Sequence, residues 1–342
     1  MRNYSVAGLC SSAAIALAAC AAAPSTPETE PGPAGAAGTP HWETVWFDDF
    51  DGDSLDRARW APEESCWGGG NNERQCYTDR PANIQVEDGI LRLIARKETY
   101  TGPLRADQHG SEEREQPYTS GKIRTRGLAD WTYGRFSARM KLPEGQGTWP
   151  AFWMMPSASV YGRWPLSGEI DIMEAVNLGT PCEDCPTGIE NRTSGAAHFG
   201  DVPPDNTYLF LKTPGETPES PADEWRVYTL EWGAGEMQWL VDGEVFMRLD
   251  ADDWYTGSAN ADGRAYAPFD QPFYLMLNLA AGGNLPEKSN DAGFDPDSFP
   301  AELLVDWVKV EQCAGDLETG LSCFDRQAWA GTPKGPWEVQ AR

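Results

Sequence analysis

The sequence predicts an all-β domain, either a sandwich or a barrel, on three observations. Glycine (35) and proline (27) are more frequent in the 342 residues than average usage, which favours many short strands joined by turns. Several segments alternate apolar and polar residues with the period of two that is typical of strands. No long segment carries the 3.6-residue apolar stripe of an amphipathic helix.

The predicted strands follow that alternation along the chain. Asp242-Gly243 stands at the centre of residues 237–249, and because Asp-Gly favours a two-residue turn, this segment predicts a hairpin. The polar stretches 100–118 and 201–222 predict surface loops. Four further segments each predict one strand: residues 89–96, 134–142, 273–280 and 302–312.

The N-terminal residues 1–20 predict export. One arginine precedes an alanine-rich, weakly apolar run that is too short for a membrane span. The run ends in Leu17-Ala18-Ala19-Cys20, which resembles a bacterial lipobox, where the cysteine is lipidated. The alternative is ordinary cleavage after small residues, with Cys20 incidental. We expect an exported cell-envelope lipoprotein, at the outer membrane or cell surface, that meets the membrane only through Cys20.

Composition then divides the rest of the chain. Residues 21–40 are proline-rich and almost without large apolar side chains, so they predict a linker rather than a core. The folded domain is expected over residues 41–313, and residues 314–342 are expected to be a tail.

The formal net charge of −26 limits the possible partners. So acidic a surface repels nucleic acid and anionic lipid, and we expect neither as a partner. The three histidines (His41, His109 and His198) are far apart in the sequence, so a histidine-rich metal site is not expected. We expect a monomer.

Six cysteines remain in the folded part, and they fall into close pairs. Because an exported chain meets an oxidising compartment, we expect three local disulfides, although the sequence cannot prove the pairing. A metal or redox role for Cys182 and Cys185 is the alternative, but no second cysteine pair or histidine nearby completes a zinc set. The pairs are Cys66 with Cys76, Cys182 with Cys185, and Cys313 with Cys323.

The segment SGEIDIMEAV (167–176) carries three acids in what is otherwise a buried strand. Burying an ionised carboxylate is costly unless it is paired or used. On a flat strand Glu169 and Asp171 share a face, and a β-bulge at or beside Met173 would return Glu174 to that face. Two glutamates on one face suit retaining glycoside hydrolysis, in which one carboxylate is the nucleophile and the other the proton donor. Because like charges so close cannot all ionise freely, the pKa of one acid rises, as a proton donor requires. Calcium is the competing interpretation of an acidic cluster.

GEIDIMEAV resembles the bulged signature of glycoside hydrolase family 16. The resemblance covers residues 43–312, and its wording is similar to bacterial laminarinases, which cut internal β-1,3 bonds of β-glucan. It extends to five further stretches: WGGGNNERQCYTDRPANIQVEDGILRLIARKE (67–98), YTSGKIRTRG (118–127), WTYGRFSARMKLPEGQGTWPAFWMMP (131–156), DEWRVYTLEW (223–232) and FDQPFYLMLNLAAGGN (269–284).

The resemblance implies a β-jelly-roll of two curved antiparallel sheets with a concave substrate cleft. It also implies a catalytic trio: Glu169 as nucleophile, Glu174 as acid/base, and Asp171 as the group that orients both. No cofactor is required for catalysis.

The resemblance further implies a set of residues that bind the sugar chain. His198 matches a G-x-x-H-x-G pattern close to the acids, with a structural, hydrogen-bonded histidine as the alternative. A structural calcium is also possible, bound by Asp306 with the backbone carbonyl of Gly89. The implied sugar-binding residues are Trp164, Trp149, Trp153, Asn72, Arg124 and His198.

Two departures from the family pattern concern the shape of the cleft. The stretch after Val176 is longer than the compact loop of the family, and it carries Cys182 and Cys185. Cys76 stands where many relatives carry an aromatic residue. Three alternative functions remain on the same fold: a mixed-linkage β-1,3-1,4-glucanase, a galactan hydrolase and a non-catalytic glucan-binding protein.

Overall fold

The structure is a computed structural model that describes residues 39–106, 110, 112–216, 220–222, 224–326 and 338–339. All of them belong to one compact unit, Gly38–Arg342. The predicted signal segment, Cys20 and almost all of the predicted linker lie outside the described residues, so the predictions made for them stay predictions.

The described residues are almost entirely strand. One short α-helix, α1 (Asn284–Lys288), follows the sixteenth strand. No helix in this part of the chain is long and apolar enough to cross a membrane. The strands are β1 (His41–Asp48), β2 (Ala61–Pro62), β3 (Gln75–Tyr77), β4 (Ile84–Glu87), β5 (Ile90–Pro103), β6 (Glu113–Ser120), β7 (Lys122–Arg124), β8 (Gly134–Lys141), β9 (Thr148–Pro156), β10 (Glu169–Glu174), β11 (Ser194–Gly200), β12 (Asn206–Lys212), β13 (Arg226–Gly233), β14 (Glu236–Val241), β15 (Glu244–Asp250), β16 (Phe273–Ala281), β17 (Ala301–Ala314) and β18 (Glu338–Val339).

The strands form two sheets. The ten-stranded sheet has the order β15-β14-β13-β8-β17-β5-β6-β3, with β1 paired to β17 and β4 to β5. The eight-stranded sheet has the order β18-β12-β11-β10-β9-β16-β7-β2. Of these strand pairs, β3 with β6 is parallel and the rest are antiparallel. The prediction of an all-β sandwich is therefore confirmed.

One continuous core joins the two sheets. Phe136 and Leu230 of the ten-stranded sheet and Phe152, Ile170 and Leu277 of the eight-stranded sheet are fully buried in it. Removing a side chain of this size from water stabilises the fold by about 1.5–3 kcal/mol. Because the inner face of the eight-stranded sheet is committed to this core, its other face can carry polar groups.

All of the predicted strand segments are strands in the structure. The predicted hairpin is β14–β15, and Asp242 (φ 51°) and Gly243 (φ 87°) both have the positive φ that its two-residue turn requires. The predicted loops were wrong in part: β5 and β6 occupy much of residues 100–118, and β12 lies within residues 201–222. The outer end of the β5–β6 hairpin is mostly exposed, so it lacks the alternation that burial on one face imposes.

The three predicted disulfides are confirmed: Cys66–Cys76, Cys182–Cys185 and Cys313–Cys323. The bond between Cys182 and Cys185 excludes both sulfurs as metal ligands, since a metal binds the free thiolate. Cys313–Cys323 ties the first residues of the predicted tail to the end of β17.

Candidate active site

A cleft of about 520 Å³ lies on the outer face of the eight-stranded sheet. Side chains of β7, β9, β10, β11, β12 and β16 form its floor, and the loop of residues 67–73 forms part of its wall. The central floor strand is β10, and all three of its acids line the cleft.

A β-bulge in β10 brings the three acids to one face. Asp171 pairs with Trp153 and Met173 pairs with Phe152, so β10 moves on by two residues where β9 moves on by one. Ile172 is the extra residue, directly beside the predicted position at Met173. Ile172 and Met173 both stay in the core, while Glu174 returns to the cleft face. An unbulged strand would have turned Glu174 into the core.

Two tryptophan N–H groups hold the two glutamates. Trp164 Nε1 donates to Glu169 Oε2 at 2.6 Å, and Trp149 Nε1 donates to Glu174 Oε1 at 2.9 Å. Trp149 lies on the neighbouring strand β9, whereas Trp164 comes from the loop before β10. Hydrogen bonds to an ionised acceptor are about twice as strong as neutral ones. Each indole N–H therefore holds its carboxylate in one orientation within the open cleft.

His198 completes the group on β11, directly across from Glu169. Its Nε2 lies 3.1 Å from Asp171 Oδ2 and 3.8 Å from Glu169 Oε1. The imidazole stacks on the Tyr208 ring at 4.9 Å with an interplanar angle of 17°, which holds its orientation. The histidine therefore lies among the acids, as the sequence predicted for its position.

The acids perturb each other. Burial first, and then the charge of Asp171, raise the pKa of Glu169 from 4.5 to about 7. The His198 charge and the Trp164 hydrogen bond act in the opposite direction. The sequence predicted that one pKa in the cluster rises to serve a proton donor. The structure places a raised pKa on Glu169, the expected nucleophile, because its carboxylate is buried and has the like-charged Asp171 within 4.8 Å.

On one side of the acids, the floor consists of Trp153, Asn278 and Lys122. Trp153 Nε1 donates to Asn278 Oδ1 at 2.7 Å, and Lys122 Nζ lies 4.9 Å from the Trp153 ring. Lys122 also lies 3.3 Å from a buried carboxylate oxygen of Glu63. Lys122 was not predicted from the sequence. Its position two residues before Arg124, and therefore on the same face of a strand, was the available signal.

On the other side, a charged group lines the cleft at β11 and β12. Arg192 donates to both carboxylate oxygens of Glu190, at 2.9 and 2.8 Å, and Lys212 Nζ lies 3.3 Å from Glu190 Oε2. Burial opposes ionisation of Glu190, but these two cations lower its pKa overall. These residues lie in or beside the long loop of the Cys182–Cys185 disulfide, and sequence analysis named none of them.

Two predicted sugar-binding residues do not line this cleft. Asn72 lies beside it, donating through Nδ2 to Asn284 Oδ1 at 3.0 Å, and its neighbour Asn71 lines the cleft instead. Arg124 shares a strand face with Lys122 and is buried like it, but does not line the cleft; its Nη1 donates to Glu63 Oε2 at 2.9 Å. A buried carboxylate needs a paired cation, which explains the position of Arg124.

The predicted calcium ligands lie away from the cleft. The Asp306 carboxylate is ion-paired with the Arg139 guanidinium of the adjacent strand β8. Gly89 forms the turn between β4 and β5 with φ 74°. A calcium ion takes six to eight oxygen ligands, and here the single carboxylate already holds a cation. Calcium at this position stays a prediction.

Among the described residues, two groups of side chains have the spacing of a metal site. One consists of Cys182, Cys185 and Glu190, whose sulfurs are bonded to each other. The other is Glu169, Asp171 and His198, the cluster already described. Proton transfer within that cluster needs no metal.

Known proteins share both the sequence and the fold. A beta-glucanase of Rhodothermus marinus is 38% identical over 277 residues, which cover 79% of this chain and 85% of that protein. A glucan endo-1,3-beta-glucosidase A1 of Niallia circulans is 37% identical over 281 residues, and the match spans 37% of its length. The X-ray structure of the laminarinase from Rhodothermus marinus matches with a TM-score of 0.63 and 35% identity, covering 80% of this chain and 98% of that one.

The chain also matches the model of a protein family. The profile of Glycosyl hydrolases family 16 covers residues 71–309, which include the bulged strand and the floor of the cleft. The fold expected from the resemblance, a β-jelly-roll, is confirmed by the two sheets and these neighbours. The chain belongs to glycosyl hydrolase family 16.

Proposed function

We propose that the protein is an endo-acting, retaining glycoside hydrolase that cleaves internal β-1,3 bonds of laminarin-type β-glucan. The single observation that carries the proposal is the bulged strand β10, which presents Glu169, Asp171 and Glu174 together on the floor of one cleft. The names of the relatives support the choice of glucan.

The proposed first step is attack by the Glu169 carboxylate on the anomeric carbon. Glu174 donates its proton to the leaving glycosidic oxygen, and a covalent glycosyl-enzyme forms. Trp164 holds the attacking carboxylate and Trp149 holds the donor, so neither must be ordered when substrate enters. In the second step Glu174 takes a proton from water, the water oxygen bonds to the anomeric carbon, and Glu169 leaves with the β configuration retained.

Asp171 and His198 act on the charge of the nucleophile. Burial of Glu169 and, after it, the charge of Asp171 keep a proton within the cluster near neutral pH. The reaction needs a protonated Glu174 and an ionised Glu169. The active form of the enzyme therefore carries one proton on these two glutamates together. His198 Nε2, close to both Asp171 and Glu169, limits the repulsion between them.

The remaining proposals concern the setting of the enzyme. We propose that it is exported and anchored through lipid on Cys20, and that it acts as a monomer on the cell envelope. The lipobox-like residues and the composition of residues 1–40 support the anchor. Metabolic labelling with a fatty acid tests it, with Cys20→Ser as the control that should lose the label.

The experiment that tests the function measures reducing ends and product sizes from laminarin, barley mixed-linkage glucan and agarose. Cleavage of laminarin to a ladder of short oligosaccharides supports the proposal, and NMR of the first products should detect the β anomer. Glu169→Gln should abolish cleavage and spare binding, because the amide keeps the shape of the side chain. Cleavage of another polymer with laminarin intact would overturn the choice of substrate.

A further inference from the structure

One aromatic side chain of the cleft wall, Trp67, has no role in the proposed reaction. Trp67 is the most exposed tryptophan of the residues that the structure describes, at 47%. It lines the same cleft as the three acids. An indole in water leaves a large apolar area unburied, and such an area in a binding cleft fits a flat apolar ligand surface.

The loop that carries Trp67 is shaped to present it. Gly68, Gly69 and Gly70 all have positive φ (76°, 58° and 80°), a conformation that side chains with a Cβ rarely adopt. Atoms Cη2 and Cζ3 of the indole lie 3.4 Å from where a Cβ on Gly70 would stand. The ring therefore rests against the glycine backbone and keeps its remaining surface for the cleft.

The loop is also fixed on both sides. The Cys66–Cys76 disulfide joins the residue before Trp67 to β3, and both sulfurs are buried. Arg114 Nη1 donates to the Trp67 carbonyl at 3.1 Å, and Cys66 N donates to the Pro103 carbonyl at 2.8 Å. The hairpin β5–β6 thus holds the loop from behind, and the aromatic ring is the part that faces the cleft.

The position of the loop separates Trp67 from the reacting bond. Asn71 accepts a hydrogen bond from Asn284 N at 2.7 Å, and Arg74 N donates to the carbonyl of Ala281 at the end of β16. Strand β9 lies between β16 and β10, so the loop adjoins a strand about 10 Å from the one that carries the acids. The indole therefore lies in a part of the cleft away from Glu169.

We propose that Trp67 is a stacking platform for a sugar residue remote from the cleaved bond, and that Cys66–Cys76 holds this platform in place. The ligand class is a β-linked glucan chain, whose sugar rings present flat C–H faces to an indole. This inference rests on the proposed function.

The first test compares Trp67→Ala with wild type on laminarin and on the β-1,3-linked disaccharide and trisaccharide. KM for laminarin should rise about tenfold with kcat unchanged, because a contact that is equal in ground and transition states affects KM alone. The short substrates, which do not reach the loop, should be unaffected. Trp67→Phe should recover most of the loss. Tyr266→Ala, an exposed aromatic outside the cleft, serves as the matched control.

The second test separates the disulfide from general stability. Cys66–Cys76 and Cys313–Cys323 both span ten residues, so removing either should lower the denaturation midpoint by a similar amount. The Cys66→Ser, Cys76→Ser variant should also raise KM for laminarin, whereas the Cys313→Ser, Cys323→Ser variant should not. Equal KM values in the two double variants would overturn the tether, whatever their stabilities.

Three results would overturn the platform itself. They are an unchanged KM for laminarin in Trp67→Ala, an equal loss on short and long substrates, or a loss in kcat alone. A wild type that neither cuts nor binds laminarin refutes the proposed function, and the platform with it. An active wild type with an unaffected Trp67→Ala refutes only the platform.

Discussion

Replacing Asp171 by asparagine should move the alkaline limb of activity to lower pH. The last proton leaves the acidic cluster near pH 7, the pKa of Glu169, and above that pH none remains for Glu174 to donate. The rise from 4.5 to about 7 corresponds to roughly 3.4 kcal/mol.

Burial is the larger of the two causes, so removing the charge of Asp171 should reverse only part of the rise. We therefore expect Asp171→Asn to lower the pKa of Glu169 by about one pH unit, to about 6. The sign follows from the charge: without the neighbouring carboxylate, the ionised form of Glu169 costs less and its proton leaves earlier.

The assay is the pH dependence of kcat/KM on laminarin between roughly pH 4 and 9, a range that includes both pKa values. Wild type should lose activity as the pH rises through about 7, and Asp171→Asn should lose it about one pH unit lower. Asp262→Asn removes an exposed acid outside the cleft and should leave the limb in place. An Asp171→Asn limb that stays at the wild-type pH, or moves upward, would refute the electrostatic coupling.

Three further predictions test other parts of the site. Glu174→Gln should lower kcat about 10³-fold, the usual contribution of a general acid, measured by reducing-end release from laminarin. Trp164→Phe removes the N–H that lowers the pKa of Glu169, so kcat/KM should fall about tenfold and the alkaline limb should move to higher pH, opposite to Asp171→Asn. Arg124→Ala leaves the buried Glu63 with Lys122 as its remaining cation and should lower the free energy of unfolding by about 3 kcal/mol in urea titrations. An unchanged urea midpoint would contradict the pairing.

The sequence predicted much of the fold because strand signals are local. Alternation with period two identified strands that face the core on one side, such as β8 and β17, and Asp242-Gly243 identified the hairpin turn. It failed for the outer part of the β5–β6 hairpin and for β12, where a strand is stabilised by its partner strand rather than by alternation. The bulge was predictable because three acids could share a face only if one residue was inserted.

Residue type and spacing by themselves predicted the acidic trio, the disulfide pairs and the all-β class, since each depends on neighbours within about ten residues. The tertiary structure alone decided which of two neighbouring polar residues lines the cleft. Asn72 is held by Asn284, 212 residues away, so Asn71 lines the cleft. Arg124 pairs with Glu63, 61 residues away, and Lys122, which also pairs with Glu63, is the one of the two that lines the cleft. A buried charge needs a partner, and the fold can supply that partner from a distant part of the chain. The order of residues does not show which distant residues come into contact.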